Sequence, residues 1–147
     1  MSYVEETDCV TFLVRHAWLS MRSAVAVALA EHELSVPQYG TLLMLSHQPG
    51  RTIAEIARKV GTARQSANEL ITGLERAGLI ERQPNPNDKR SQLVYLTEGG
   101  KARLAAAGPA VRAVEAELEA DLTAADRAAA RAWLQRMVDP EVTIDEP

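Results

Sequence analysis

Residues 52–97 read TIAEIARKVG TARQSANELI TGLERAGLIE RQPNPNDKRS QLVYLT. Thr52-Ile53-Ala54-Glu55 has the form of a capping box, threonine at the N-cap and glutamate three residues on. It predicts a short helix to about Val60, with Ile53, Ile56, Ala57 and Val60 on its apolar face. Gly61 suits the left-handed position that ends a helix. Thr62-Ala63-Arg64-Gln65 has the same capping form and predicts a second helix to about Ala77, with Ala67, Leu70, Ile71 and Leu74 inward and Gly78 as its stop. Two short helices across a glycine turn make a helix-turn-helix. Leu79 to Gln83 then predicts a strand, Pro84 to Ser91 a polar turn, and Gln92 to Leu96 the returning strand. The result is a helix-turn-helix with a hairpin wing.

The flanks are helical. Cys9 to about Ala30 carries Phe12, Val14, Trp18, Met21, Val25 and Leu29 near helical spacing. Ser35 is placed to cap a helix with Pro37 in its first turn, stopping before Gln48-Pro49-Gly50. Thr97-Glu98-Gly99-Gly100 opens a helix towards about Asp121, in which Gly108-Pro109 predicts a kink or an interruption. Thr123 to Asp126 opens a last helix to about Val138, and the acidic tail after it is expected to fray. The fold class is mainly α with a small β-hairpin. Residues 1–147 are expected to form one domain: about 35–97 the winged helix-turn-helix, flanked by helical segments at about 10–34 and 98–138.

A chain of 147 residues suits one domain with its own core. Aromatics are 4% while alanine is abundant, which favours helix over sheet. No apolar run is long enough to span a membrane. The acidic start, Met1 to Glu6, lacks the basic region of a secretory signal, so a cytoplasmic location is expected. Cys9 is the single cysteine, which excludes an intrachain disulfide and a cysteine-built zinc cage. The net charge of −4 is unevenly spread: residues 1–50 carry −3, residues 51–103 carry +4 and residues 104–147 carry −5. A basic centre between acidic ends is what a nucleic-acid reader needs, since phosphates attract only the surface that meets them.

The second helix of the helix-turn-helix offers Thr62, Arg64, Gln65, Ser66 and Asn68 on its first turns. Arginine pairs with guanine and glutamine or asparagine with adenine, while hydroxyls and the helix N-terminus suit phosphate. A solvated helix face can carry the same residue types. The wing tip, Asn85-Pro86-Asn87-Asp88-Lys89-Arg90, puts two adjacent cations on a protruding ribbon. An arginine there can enter a narrow minor groove. Asp88 would repel phosphate, so its expected task is to orient Arg90.

The stretch Asp88-x-Arg90-x-x-x-Val94-x-Leu96-Thr97-x-x-Gly100 resembles the wing pattern of the MarR family of bacterial transcription regulators. Pro37-Gln38-Tyr39 and Gly73-Leu74-Glu75-Arg76-Ala77-Gly78-Leu79-Ile80 are similar to that family too, and the order of elements fits over about residues 10–138. The resemblance implies a homodimer with interlocked terminal helices, recognition helices in successive major grooves and wings in flanking minor grooves. By position it implies that Arg64, Gln65, Ser66 and Asn68 face bases or phosphates, with Arg90 the wing-tip arginine and Asp88 its partner. The terminal helices, rich in small and apolar residues, independently favour a dimer, although the alanine-rich C-terminal helices could instead form a local bundle. Two copies would read a pseudo-palindrome in double-stranded DNA with half-sites about 34 Å apart.

The family often binds a small aromatic acid between the dimer helices and the winged domain. Arg15, His16, Trp18 and Tyr39 are the candidates here, since a cation and a histidine near aromatic surface suit a phenolic carboxylate. Each has a plainer role open to it: Trp18 and Tyr39 in packing, Arg15 in an ion pair. Some members sense peroxide through a cysteine near the start of the first helix, close to Cys9. A reactive thiol needs a lowered pKa, and Glu5, Glu6 and Asp8 are expected to raise it. Glu31-His32-Glu33 invites a metal, but no histidine after the wing completes a site, and neither metal nor cofactor is expected. No nucleophile-base order, paired-carboxylate motif or complete phosphate-cradling loop points to an enzyme. The expectation is a repressor released by a small molecule. The rivals are a redox-sensing regulator using Cys9 and a winged-helix protein-interaction module that binds no DNA.

Overall fold

The computed structural model describes residues 8–138. They form helices α1 (Val10–Ala30), α2 (Val36–His47), α3 (Ile53–Val60), α4 (Arg64–Arg76), α5 (Glu98–Leu118) and α6 (Ala124–Val138), and strands β1 (Arg51–Thr52), β2 (Ile80–Pro84) and β3 (Gln92–Leu96). The mainly helical fold with a hairpin wing is as expected. The acidic first residues and the tail after Val138 lie outside the described residues. The chain divides after Val114 into two compact units.

In the first unit the helix starts follow local chemistry. Ser35 caps α2 by accepting from the Gln38 amide at 3.2 Å, and Gln38 returns the bond to the Ser35 amide at 2.9 Å. Thr52 caps α3 by accepting from the Glu55 amide at 3.2 Å. The Glu55 carboxylate also accepts from Arg51 at 2.8 Å, and this bond first, with the Thr52 bonds, holds its pKa below the ordinary glutamate value. Gly61 ends α3 with φ +74°, a conformation that favours glycine.

The expected capping box at Thr62 does not form. Thr62 is spent on closing α3: its amide and that of Gly61 both donate to the Ala57 carbonyl, each at 3.0 Å. The N-cap of α4 is therefore Ala63, which has no side-chain bond to give. A third strand, β1, has no signature in the sequence. β1 has two residues, too few for an alternating pattern, and pairs with β3 through Arg51↔Val94 and Thr52↔Leu93. The sheet order is β1-β3-β2, all antiparallel, and β2 is shifted one residue later than expected.

Leu29, Leu42, Leu45, Ile56, Ile71, Leu74 and Val94 are fully buried and join α1 through β3 in one core. Each such side chain contributes about 1.5–3 kcal/mol relative to exposure. Thr97 pins the start of α5 to the α4–β2 turn. Its hydroxyl donates to the Gly78 carbonyl at 2.6 Å and accepts from the Gly100 amide at 3.0 Å. α5 runs unbroken past Pro109, so of the kink or interruption expected there the interruption does not occur. The proline removes one internal bond, but Ala107, Gly108 and Val111 around it are buried and hold that turn in place.

In the second unit Thr123 and Asp126 form a reciprocal cap for α6, with bonds of 3.1 and 3.3 Å. Arg131 pairs with Glu119 at 2.8 Å. Leu122, Trp133, Leu134, Met137 and Val138 are exposed. No helix among the described residues is long and apolar enough to cross a membrane.

Candidate nucleic-acid interface and effector cleft

Helix α4 has two faces. Ala67, Ile71 and Leu74 are fully buried, and this anchors it along its length. Arg64, Gln65, Ser66 and Asn68 are exposed on the other side, and Thr62 is half-buried in the turn before them. Asn68 folds back on the helix and donates to the Arg64 carbonyl at 3.2 Å. With no side-chain cap, the first amides of α4 keep their donors for an outside acceptor.

The wing tip is built by its own side chains. Asn85 Nδ2 donates to Ser91 Oγ at 2.9 Å, and Asn85 Oδ1 accepts from the Asn87 amide at 3.0 Å. Asp88 Oδ1 accepts from the Arg90 amide at 2.9 Å. Asp88 was expected to orient Arg90. The bond it makes runs to the backbone of Arg90, so it sets the course of the chain at that residue. Asp88, Lys89 and Arg90 are all exposed.

A cleft of about 680 Å³ opens between α1, α2 and the end of α3. Trp18, Val36 and Met44 supply apolar wall, Arg22 and Lys59 supply cations, and Gly61 closes it beside the helix-turn-helix turn. Of the four residues expected at an effector site, Trp18 lines this cleft. Arg15, His16 and Tyr39 are not among its lining. The His16 ring stacks on Phe12 with centroids 6.5 Å apart, and Tyr39 packs against the core. Arg22 and Lys59 were missed. Arg22 lies four residues beyond Trp18, so helical spacing puts the two side by side, a usable signal. For Lys59 no sequence signal existed, because α3 meets the cleft only through tertiary packing.

Cys9 caps α1 by position, without a side-chain cap bond. Its Sγ lies 3.2 Å from Thr11 Oγ1. That bond first, and the Phe12 amide second, hold the thiol below its ordinary pKa, the opposite of the expected direction. Glu5 and Glu6, invoked for that expectation, lie outside the described residues. In the Glu31-His32-Glu33 turn, Arg103 donates to the His32 carbonyl at 3.0 Å and stands 3.8 Å from the Glu33 carboxylate. No group of three or more potential metal ligands occurs among the described residues.

A helix-turn-helix with a hairpin wing, carried between long flanking helices, defines a winged-helix protein. The family model described as MarR family matches residues 32–91. The HTH-type transcriptional repressor Rv2887 of Mycobacterium tuberculosis is 32% identical over 126 residues, covering 86% of this chain and 91% of the relative. The chain belongs to the MarR family of transcriptional regulators. Among solved structures, the repressor CouR bound to a 23-mer DNA duplex is 28% identical with a TM-score of 0.82, covering 92% of this chain and 99% of CouR. Rv2887 in complex with salicylic acid is 31% identical with a TM-score of 0.73, covering 88% of this chain and 96% of that one.

Proposed function

We propose that this protein is a homodimeric, sequence-specific repressor that binds a pseudo-palindromic operator and is released by a small aromatic acid. The observation that carries the reading is α4: a buried face that fixes it, an uncapped N-terminus, and Arg64, Gln65, Ser66 and Asn68 exposed on its other face. Arg64, Gln65 and Asn68 would meet base edges, while Thr62, Ser66 and the open amides would meet phosphate. Asp88 shapes the wing tip so that Lys89 and Arg90 reach the flanking minor groove. CouR on its duplex supports this use of the fold.

Dimerisation rests on apolar surface left without cover. Phe12, Leu13, Val14, Leu19 and Met21 on α1, and Trp133, Leu134 and Met137 on α6, are exposed. Large apolar side chains left open to water on each of these helices are the kind of surface a partner chain covers. The effector would sit in the α1–α2–α3 cleft with its ring against Trp18 and its carboxylate towards Arg22 and Lys59. The salicylic acid complex of Rv2887 supports that ligand class. By preferring one spacing of the two recognition helices, the ligand would shift the population away from the DNA-binding form.

Selection of bound duplexes from a random pool, at two salt concentrations, tests the reading. An enriched inverted repeat with half-sites about one helical turn apart is expected, with affinity falling steeply as salt rises. Sequence-indifferent binding in the effector-free protein would refute it and favour a protein partner for the wing.

A further inference from the structure

Arg82 sits in the middle of β2, opposite Val94 on β3, on the strand that leads from α4 out to the wing tip. Its side chain is only 20% exposed, although it carries a charge. Nη2 donates to Thr72 Oγ1 at 2.9 Å, and Nε stands 3.4 Å from Glu75 Oε2. Nε is buried and makes no hydrogen bond, so the nearby Glu75 carboxylate compensates its charge without fixing it by a directed bond. Thr72 and Glu75 are three residues apart on α4 and share one of its faces. One planar guanidinium therefore spans two points of α4 from a single point of the wing, a geometry that an ammonium cannot reproduce.

We propose that Arg82 is a positioning residue: clamped to Thr72 and Glu75, it sets the angle between the wing and α4, so that Arg90 and the polar face of α4 engage one duplex together. The proposal rests on the DNA-binding reading above. Leverage makes the angle matter. At about 3.3 Å per residue, the ribbon from Arg82 to the tip is a lever of roughly 15–20 Å. A pivot of about 10° at the clamp moves the tip by about 3 Å, enough to break any hydrogen bond made there. The clamp is also discrete, because a guanidinium largely withdrawn from water is disfavoured when it loses its partners. The hairpin's ladder fixes its register and the core seats its base through Ile80 and Val94, and the Arg82 bond to Thr72 adds the directed tie from the ribbon to α4.

Two measurements separate the clamp from the DNA reading. The first needs no DNA. Nitroxides are placed at Glu69→Cys on α4 and Lys89→Cys at the tip, in a Cys9→Ser chain diluted with unlabelled protein. The distance distribution is expected to be narrow, and in the Arg82→Met chain to broaden or shift by about 3 Å. An unchanged distribution overturns the proposal. The second is a double-mutant cycle on the selected operator. Arg90→Ala is expected to weaken binding about tenfold in the parent and less than about twofold in the Arg82→Met background. A plain loss of stability would leave the two Arg90 effects equal, and equal losses overturn the positioning role. If Arg90→Ala costs nothing in the parent while the distances still respond, the DNA reading of the wing fails and takes the role with it. Should Arg82→Met not fold, Thr72→Val removes the directed bond from a half-buried site and is read by the same two measurements.

Discussion

Replacing Gly100 by alanine probes the seat of the wing. A Cβ built there would lie 3.0 Å from the Leu79 carbonyl carbon, closer still to its oxygen, and 3.3 Å from Leu96 Cδ2. The first two are backbone atoms and cannot rotate aside. The start of α5 must therefore lift, which weakens the Thr97–Gly78 and Gly100–Thr97 bonds. Overpacking of this kind costs about 1–3 kcal/mol, and each weakened bond about 0.5–1.5 kcal/mol. Alanine's better helix propensity returns up to about 1 kcal/mol, leaving a net loss of about 1–5 kcal/mol. Gly99 is the internal control. Its Cβ would meet the Gly78 oxygen at 3.2 Å, tight but tolerable, so Gly99→Ala is expected to stay within about 1 kcal/mol of the parent. Urea unfolding at one fixed protomer concentration measures both, since the proposed dimerisation would make apparent stability depend on concentration. Equal effects at the two glycines would refute the close approach of α5 to Leu79.

Four further outcomes are expected. Arg90→Ala leaves thermal stability unchanged but lowers the slope of log affinity against log salt by about 2 for a dimer with two wings; an unchanged slope places Arg90 off the duplex. Arg64→Ala costs about 1–3 kcal/mol at one base position, measured by competition with operator variants, whereas uniform weakening makes it a phosphate contact. Arg22→Met weakens the response to aromatic acids in an operator-release titration while operator affinity itself holds; a lost response to neutral phenols as well would contradict a carboxylate contact. Glu55 carries a carboxyl held below its ordinary value of 4.5, so its bonds stabilise the fold fully above that pH and lose their effect as pH falls through the lower folded value. The melting-temperature advantage of the parent over Glu55→Gln should therefore be steady near neutrality and shrink in acid, and parallel curves would count against the Arg51–Glu55 contact.

Legibility followed the range of the interactions. α3 could be placed from Thr52, Glu55 and Gly61, whose roles are settled within a few residues of chain. The polar wing tip was legible from Asn85 to Arg90 for the same reason. The capping box at Thr62 misled because two closures competed for one residue, and the Ala57 carbonyl took its amide. β1 escaped because its pairing with β3 spans some forty residues and leaves no local period. The cleft was half-legible: Trp18 and Arg22 share a helical spacing, but Lys59 joins them only when α3 packs against α2. Arg82 looked like an ordinary strand cation, and nothing short of the fold reveals that it lies across α4.

The bonds inside the wing tip bear on entropy. Asn85, Asn87, Asp88, Arg90 and Ser91 are tied to one another by side-chain bonds of 2.9–3.0 Å. Ordering a loose loop costs about 1–2 kcal/mol per residue. In this chain that ordering is completed during folding and is not repeated at each encounter. A partner that grips the tip meets a shape already formed. The association rate should then be set by diffusion and charge, with little waiting for the ribbon to find its conformation.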